Sequence, residues 1–238
     1  MAVLVAACEE RSMQSSGPPP HLVERVVAAR RTTPGEAPPL LVLLHGIGAD
    51  ENDLFSLAAH MDPRFTIVSV RAPRPYHTGY AWFDIAWKAD GSVVPNVAQA
   101  RETLADFVRW IEAAPARLGT DSKRVYLLGF SQGAMMSLGV LRTAPQRLAG
   151  VVALSGRFAD ALFETPPATD AVKAIPVFVG HGTQDDVLPV ENGRAVRDAF
   201  APLVRDFTYR EYPVPHAIAP AELGDVAAWL TSHLDRAP

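Results

Sequence analysis

Gly129-Phe130-Ser131-Gln132-Gly133 fits G-x-S-x-G, and its flanks decide what the pattern means. Val125-Tyr126-Leu127-Leu128 precedes it, a short run rich in β-favouring residues. Ala134-Met135-Met136-Ser137-Leu138-Gly139-Val140-Leu141 follows, mostly good helix formers and apolar nearly all round. The segment therefore reads as a buried strand, a tight turn at Ser131 and a buried helix. Such a turn strains the serine backbone and pushes Oγ out at the carboxyl edge of a sheet. The glycines two before and two after let strand and helix cross closely. The Gln132 N–H, at the helix start, points where negative charge would build on an attacked carbonyl.

Working outward, strands and helices alternate. Leu40-Leu41-Val42-Leu43-Leu44 is an unbroken apolar run of strand length, as a strand covered on both faces should be. It feeds into His45-Gly46-Ile47-Gly48-Ala49-Asp50, where Asp50 reads as the N-cap of a helix through Leu54, Leu57 and Ala58, with Asp53 reaching back. Residues 65–70 read as the next strand. From Val97, apolar residues at Ala100, Leu104, Val108 and Ile111 keep a helical period, and Gly119 marks the end. Residues 151–154, 176–180 and 207–212 read as further strands, the last near an edge. Residues 191–203 and 220 onward read as helices, with Pro220 at a favoured first position. His21–Ala28 reads as a first, edge strand. Residues 157–174, with Pro166-Pro167, read as irregular. The segment from Arg71 to about Pro95 reads as a long aromatic loop. Its Tyr80, Trp82 and Phe83 are the candidate lining of a substrate pocket, some rings buried beneath it.

This alternation gives an α/β fold, a mostly parallel sheet with helices on both faces. Sites in such sheets form at the carboxyl ends of strands. His45–Asp50, Gly129–Gly133, His181–Asp186 and Pro213–His216 all lie at such ends.

The totals exclude other classes. The chain has 238 residues, 48% apolar and 20% charged, which suits one α/β domain over residues 21–238. A net charge of −4 with no basic run argues against nucleic-acid binding. No apolar stretch approaches the ~20 residues of a membrane span. The seven histidines show no H-x-H or H-E-x-x-H spacing and no C-x-x-C exists, so neither metal nor cofactor is expected. One cysteine, Cys8, permits no intrachain disulfide, which fits a reducing, cytoplasmic setting. Residues 1–20 read as a disordered tail, or as sequence upstream of a working start at Met13. A lipid anchor through Cys8 is the alternative, against which stand the short apolar run and the lack of a positive n-region. Oligomeric state stays open between monomer and homodimer.

Serine needs a base to become a nucleophile, and an imidazole needs a carboxylate to hold its tautomer. The order present is Ser131, then Asp185 or Asp186, then His216, with His181 the rival base. The Ile47 N–H, between two glycines, is the candidate second oxyanion donor beside Gln132. With these residues collected, the sequence resembles the phospholipase/carboxylesterase family of α/β-hydrolases, which includes bacterial carboxylesterases and acyl-protein thioesterases. The likeness runs through Leu44–Asp50, Arg71-Ala72-Pro73, Ala81–Asp84, Gly129–Ala134, Leu154-Ser155-Gly156, His181–Asp185 and His216-Ala217-Ile218. It implies the α/β-hydrolase fold, with Ser131 as nucleophile, Asp185 rather than Asp186 as acid, and His216 as base. It places the oxyanion donors at Ile47 and Gln132. It implies a carboxylesterase acting on a small-molecule ester. Alternatives are an acyl-thioesterase or lysophospholipase with the same triad, or a non-catalytic ligand-binding homologue.

Overall fold

The computed structural model describes residues 20–88, 93–158, 162 and 169–236. The expected tail up to residue 19 and the Pro166-Pro167 segment lie outside these residues. The elements in chain order are β1 (Glu24–Val27), β2 (Leu40–Leu44), a 3-10 turn (Phe55–His60) and β3 (Thr66–Val70). Four short strands follow: β4 (Arg74–Tyr76), β5 (Gly79–Ala81), β6 (Ile85–Trp87) and β7 (Val93–Pro95). Then come α1 (Val97–Leu118), β8 (Val125–Phe130), α2 (Gln132–Thr143), β9 (Gly150–Leu154) and α3 (Asp170–Ala174). The chain ends with β10 (Val177–Gly182), α4 (Glu191–Phe200), β11 (Phe207–Tyr212) and α5 (Pro220–Arg236).

Seven strands form one sheet in the order β1-β3-β2-β8-β9-β10-β11. Only the edge pair β1–β3 is antiparallel. The chain winds from β2 outward to β3, then crosses back to β8 on the other side of β2. Strand order therefore reverses between β2 and β8, and the loops leaving their carboxyl ends part there. Open α/β sheets form their crevice at such a switch point. The residues after β2 are His45 to Ala49, and the residue after β8 is Ser131.

The pleat divides the core. Leu40, Val42 and Leu44 face the layer of α1 and α2, while Leu41 and Leu43 face the layer of α5. All five are fully buried, which is why β2 shows no polar alternation. Every residue of α2 from Gln132 to Leu141 is buried, so its uniform apolarity reflects burial on all sides. At the ends of α1, the Asn96 side chain accepts from the Gln99 N–H and Gly119 takes φ +66°.

Two expectations are corrected. Asp50 does not cap an α-helix. Its Oδ1 accepts from the Asn52 N–H at 2.8 Å, a turn closed by the side chain itself, and only the 3-10 turn follows. Short carboxylates compete with the backbone for donors two residues on, and here that local bond wins. The aromatic segment is not a loop. It folds as two hairpins, β4–β5 and β6–β7. The first hairpin pairs with the loop after β2: Gly48 N–H donates to Tyr80 O and Tyr80 N–H to Ala49 O, both at 2.8 Å. Gly79 permits this approach, since a Cβ there would fall 2.1 Å from Gly48 O. Among the described residues no helix is long and apolar enough to cross a membrane.

Candidate active site

Ser131 sits between β8 and α2 with φ 53° and ψ −114°, a backbone region that L-residues rarely enter. The crossing leaves no room for side chains. A Cβ on Gly129 would fall 2.2 Å from Gly133 O, and one on Gly133 would fall 2.1 Å from Leu44 O. This is the sharp strand-to-helix turn that the G-x-S-x-G spacing predicts.

His216 reaches the serine from the loop between β11 and α5. Its Nε2 lies 3.0 Å from Ser131 Oγ, and its Nδ1 lies 2.6 Å from Asp185 Oδ2. An ionised carboxylate only accepts, so Nδ1 carries the proton and Nε2 is left to accept from the hydroxyl. The Phe130 ring packs against the imidazole with centroids 4.8 Å apart. Asp185 is buried, and its Oδ1 accepts from Val187 N–H at 3.0 Å and Leu188 N–H at 2.7 Å. Asp186 is exposed. Adjacent residues in this loop point in opposite directions, and Asp185 is the one that meets His216.

His181 and His45 are held by backbone groups, although His181 Nε2 also lies 3.5 Å from Asp185 Oδ2. His181 is fully buried and its Nε2 donates to Leu188 O at 2.7 Å, so it props the loop that carries Asp185. His45 Nε2 accepts from Ala72 N–H at 3.0 Å, so its Nδ1 carries the proton and donates to Gly46 O at 2.7 Å. Burial holds the His45 pKa below the ordinary imidazole value and keeps the ring neutral.

Ile47 lies in the loop after β2, and this loop abuts the serine: a Cβ on Gly46 would fall 3.3 Å from Ser131 Cβ. Gln132 opens α2, so its N–H has no partner within the helix. The loop that carries Ile47 thus abuts Ser131 on one side, and Gln132 follows it directly on the other.

The pocket expectation is corrected in part. Trp82 and Phe83 are 0% and 1% exposed, and they belong to the core beneath the crevice. Trp82 packs edge-on to Phe107 at 5.2 Å, and the hairpins turn both rings inward. Tyr80 is half-buried, its hydroxyl 3.0 Å from Arg71 Nη1 and its ring under the Arg71 guanidinium. Arg71 is itself held by Glu51 through two hydrogen bonds.

Two groups escaped sequence reading. The Gln132 side chain accepts from Trp82 N–H and donates to Phe83 O, each at 2.7 Å. A buried glutamine at the start of an apolar helix is the only signal in the sequence. Glu222, in the first turn of α5, is 1% exposed. Its Oε2 accepts from Ala219 N–H at 3.2 Å, and its Oε1 lies so close to β10 that a Cβ on Gly180 would meet it at 2.2 Å. The capping-box spacing from Ala219 lacks the hydroxyl that would have announced it.

Burial pushes the Glu222 carboxyl up to about 7, with the Asp225 charge adding to the rise. Tyr212, whose hydroxyl donates to Asp225, feels the same charge. A raised folded-state pKa gives stability that is whole below the ordinary carboxylate range and is lost as pH climbs through about 7. The loss amounts to about 3 kcal/mol in mildly alkaline solution. Glu222→Gln keeps an acceptor for Ala219 and removes the titration. Urea unfolding of both proteins at pH 5 and pH 9 is expected to show the variant gaining about 2–3 kcal/mol on the wild type at the higher pH. A constant difference at the two pH values would contradict the buried, titrating carboxyl.

A parallel sheet with a strained serine at its switch point, in hydrogen-bonded series with an imidazole and a buried carboxylate, defines an α/β-hydrolase. The family profile described as Phospholipase/Carboxylesterase matches residues 26–234, and the chain belongs to that family. It is a hydrolase of the esterase and thioesterase group. Acyl-protein thioesterase 1 of Eremothecium gossypii is 29% identical over 212 residues, covering 82% of this chain and 87% of that protein. Acyl-protein thioesterase 1 of Cryptococcus neoformans is 30% identical over 219 residues, covering 82% and 92%. Among solved structures, esterase PE8 is 28% identical with a TM-score of 0.73, covering 89% and 98%. A carboxylesterase from Mesorhizobium loti shares the fold with a TM-score of 0.75 at 23% identity, covering 88% and 94%.

Proposed function

We propose that the protein is a serine carboxylesterase that cleaves small-molecule esters through an acyl-enzyme on Ser131. The observation that carries this reading is the series Ser131 Oγ, His216 and Asp185, linked at 3.0 and 2.6 Å. His216 Nε2 takes the hydroxyl proton as Oγ attacks the ester carbonyl. Asp185 holds the imidazole in the accepting tautomer and stabilises the imidazolium. The Ile47 and Gln132 amides stabilise the oxyanion of the tetrahedral intermediate. Imidazolium then protonates the departing alcohol. Water attacks the acyl-enzyme with His216 again as base, which returns Ser131 to its starting state. Of the three rings expected to line the pocket, Tyr80 alone keeps partial exposure, and it is the one we assign to substrate contact.

A second reading, acyl-thioester cleavage, draws on the relatives named acyl-protein thioesterase 1. Esters and thioesters share the tetrahedral intermediate, so the triad serves both. A panel that pairs oxyesters with thioesters of the same acyl group, with a lysophospholipid included, separates the readings. The carboxylesterase reading expects the highest kcat/KM on oxyesters, with a fluorophosphonate label on Ser131. A thioester preferred by about tenfold or more at matched acyl length, roughly 1.4 kcal/mol of transition-state binding, would replace it with thioesterase.

A further inference from the structure

We infer that Trp82 is a positioning residue that sets the spacing of the two oxyanion donors. This rests on the reading above, in which those donors are the amides of Ile47 and Gln132.

The two donors belong to segments that follow different strands, Ile47 after β2 and Gln132 after β8. Nothing along the chain fixes the distance between them. Trp82 touches both supports. Its indole Nε1–H donates to His45 O at 2.9 Å, in the loop that carries Ile47. Its backbone N–H donates to Gln132 Oε1 at 2.7 Å, on the residue that carries the other donor. Gln132 Nε2 closes the clamp on Phe83 O at 2.7 Å. The bridge is buried throughout, with Trp82 at 0% and Gln132 at 3% exposure. A buried indole N–H needs an acceptor, and this one finds it in the oxyanion loop and not in the surrounding core.

The direction of the donor is also controlled. His45 O belongs to the peptide one unit before the Gly46–Ile47 peptide. Two soft dihedrals at Gly46 still join that unit to the next, so a second contact is needed to orient the Gly46–Ile47 peptide. The His45 ring grips that next unit, through Nδ1–H to Gly46 O at 2.7 Å. In a trans peptide C=O and N–H point in opposite directions, so a Gly46 carbonyl drawn to the imidazole turns the Ile47 N–H the other way. Trp82 therefore holds the ground on which His45 works. Oxyanion donors act only when aimed at the transition state, so an error in aim lowers kcat and leaves ground-state binding unchanged.

The test is Trp82→Phe, which keeps an aromatic ring against Phe107 but removes the indole N–H together with part of the fused ring. Gln132→Met approaches the same bridge from the other end and leaves the backbone amide in place. Activity is expressed per site titrated by fluorophosphonate, so misfolded protein drops out. Each variant is expected to lose about 10- to 100-fold in kcat with KM changed less than about threefold, somewhat under the loss on deleting an oxyanion donor outright. Affinity for a trifluoromethyl ketone, which mimics the tetrahedral adduct, should fall by the same factor as kcat/KM. If Trp82→Phe yields no titratable enzyme, Gln132→Met decides. Unchanged kcat per site, with only Tm or the titratable fraction lowered, would overturn the inference and leave Trp82 a core residue. Ser131→Ala run in parallel separates the two failures. Turnover surviving in that variant sinks the proposed function, whereas its loss beside an unaffected Trp82→Phe sinks only the bridge.

Discussion

Ser131→Ala is expected to reduce ester turnover by roughly 10⁵- to 10⁶-fold, the scale seen when a triad serine is removed elsewhere. The substitution deletes the atom that becomes bonded to the acyl group. What remains is binding and oxyanion stabilisation, worth about 10³-fold over water. The fold should survive, because alanine occupies the same strained turn and the hydroxyl makes one hydrogen bond, to His216, worth about 1 kcal/mol. Circular dichroism with a matched melting curve checks the fold, and a stopped assay on an activated ester checks the activity. Wild-type hydrolysis by this variant would remove Ser131 from the chemistry altogether.

Asp185→Asn is the second large effect, expected at about 10³- to 10⁴-fold in kcat. The structure dictates how asparagine would sit. Two loop amides, from Val187 and Leu188, donate to Oδ1 and would keep the amide oxygen on their side. The Nδ2 group would then face His216 Nδ1 as a donor, in the place where a carboxylate accepts. The imidazole would answer by moving its proton to Nε2. An Nε2–H facing Ser131 Oγ cannot take the hydroxyl proton. Asp186→Asn is the matched control. That residue is exposed, and its replacement is expected to leave kcat within about twofold, as surface changes away from a site generally do. Equal losses in the two variants would reassign the acid.

Both predictions concern residues that the order Ser–Asp–His brings to notice, yet they differed in how plainly the chain displayed them. Ser131 could be read because its flanks constrain it: an apolar strand, two glycines and an apolar helix leave the intervening residue one conformation. Asp185 and Asp186 stand side by side with the same chemistry, and residue type could not separate them. The family resemblance favours Asp185. The direction of the loop, braced by His181 and Leu188, shows the same preference physically.

Element boundaries followed the same logic. Asn96 and Gly119 bracket α1 because caps act on the nearest few residues and are legible there. Asp50 misled because two local outcomes, a helix cap and a side-chain turn, use the same residue type. The Asn52 amide took the bond. Trp82 and Phe83 misled for a longer-range reason. Their side chains face inward because the β4–β5 hairpin pairs with the loop after β2, some thirty residues earlier. The Gln132 side chain has partners, Trp82 and Phe83, far off along the chain, and the burial of Glu222 comes from its packing against Gly180 of distant β10, so neither role shows locally.

Periodicity, glycine placement and apolar runs are local quantities, and they were enough to specify an alternating α/β chain and the loops at the carboxyl ends of its strands. Convergence is another matter. Whether His216 faces Ser131, which of two aspartates meets the imidazole, and whether an indole holds the loop after β2 all depend on contacts across 31 to 85 residues of chain. Such contacts exist only once burial has folded the sheet, because the free energy that holds a side chain in one direction comes from packing on every side of it and not from its neighbours in sequence.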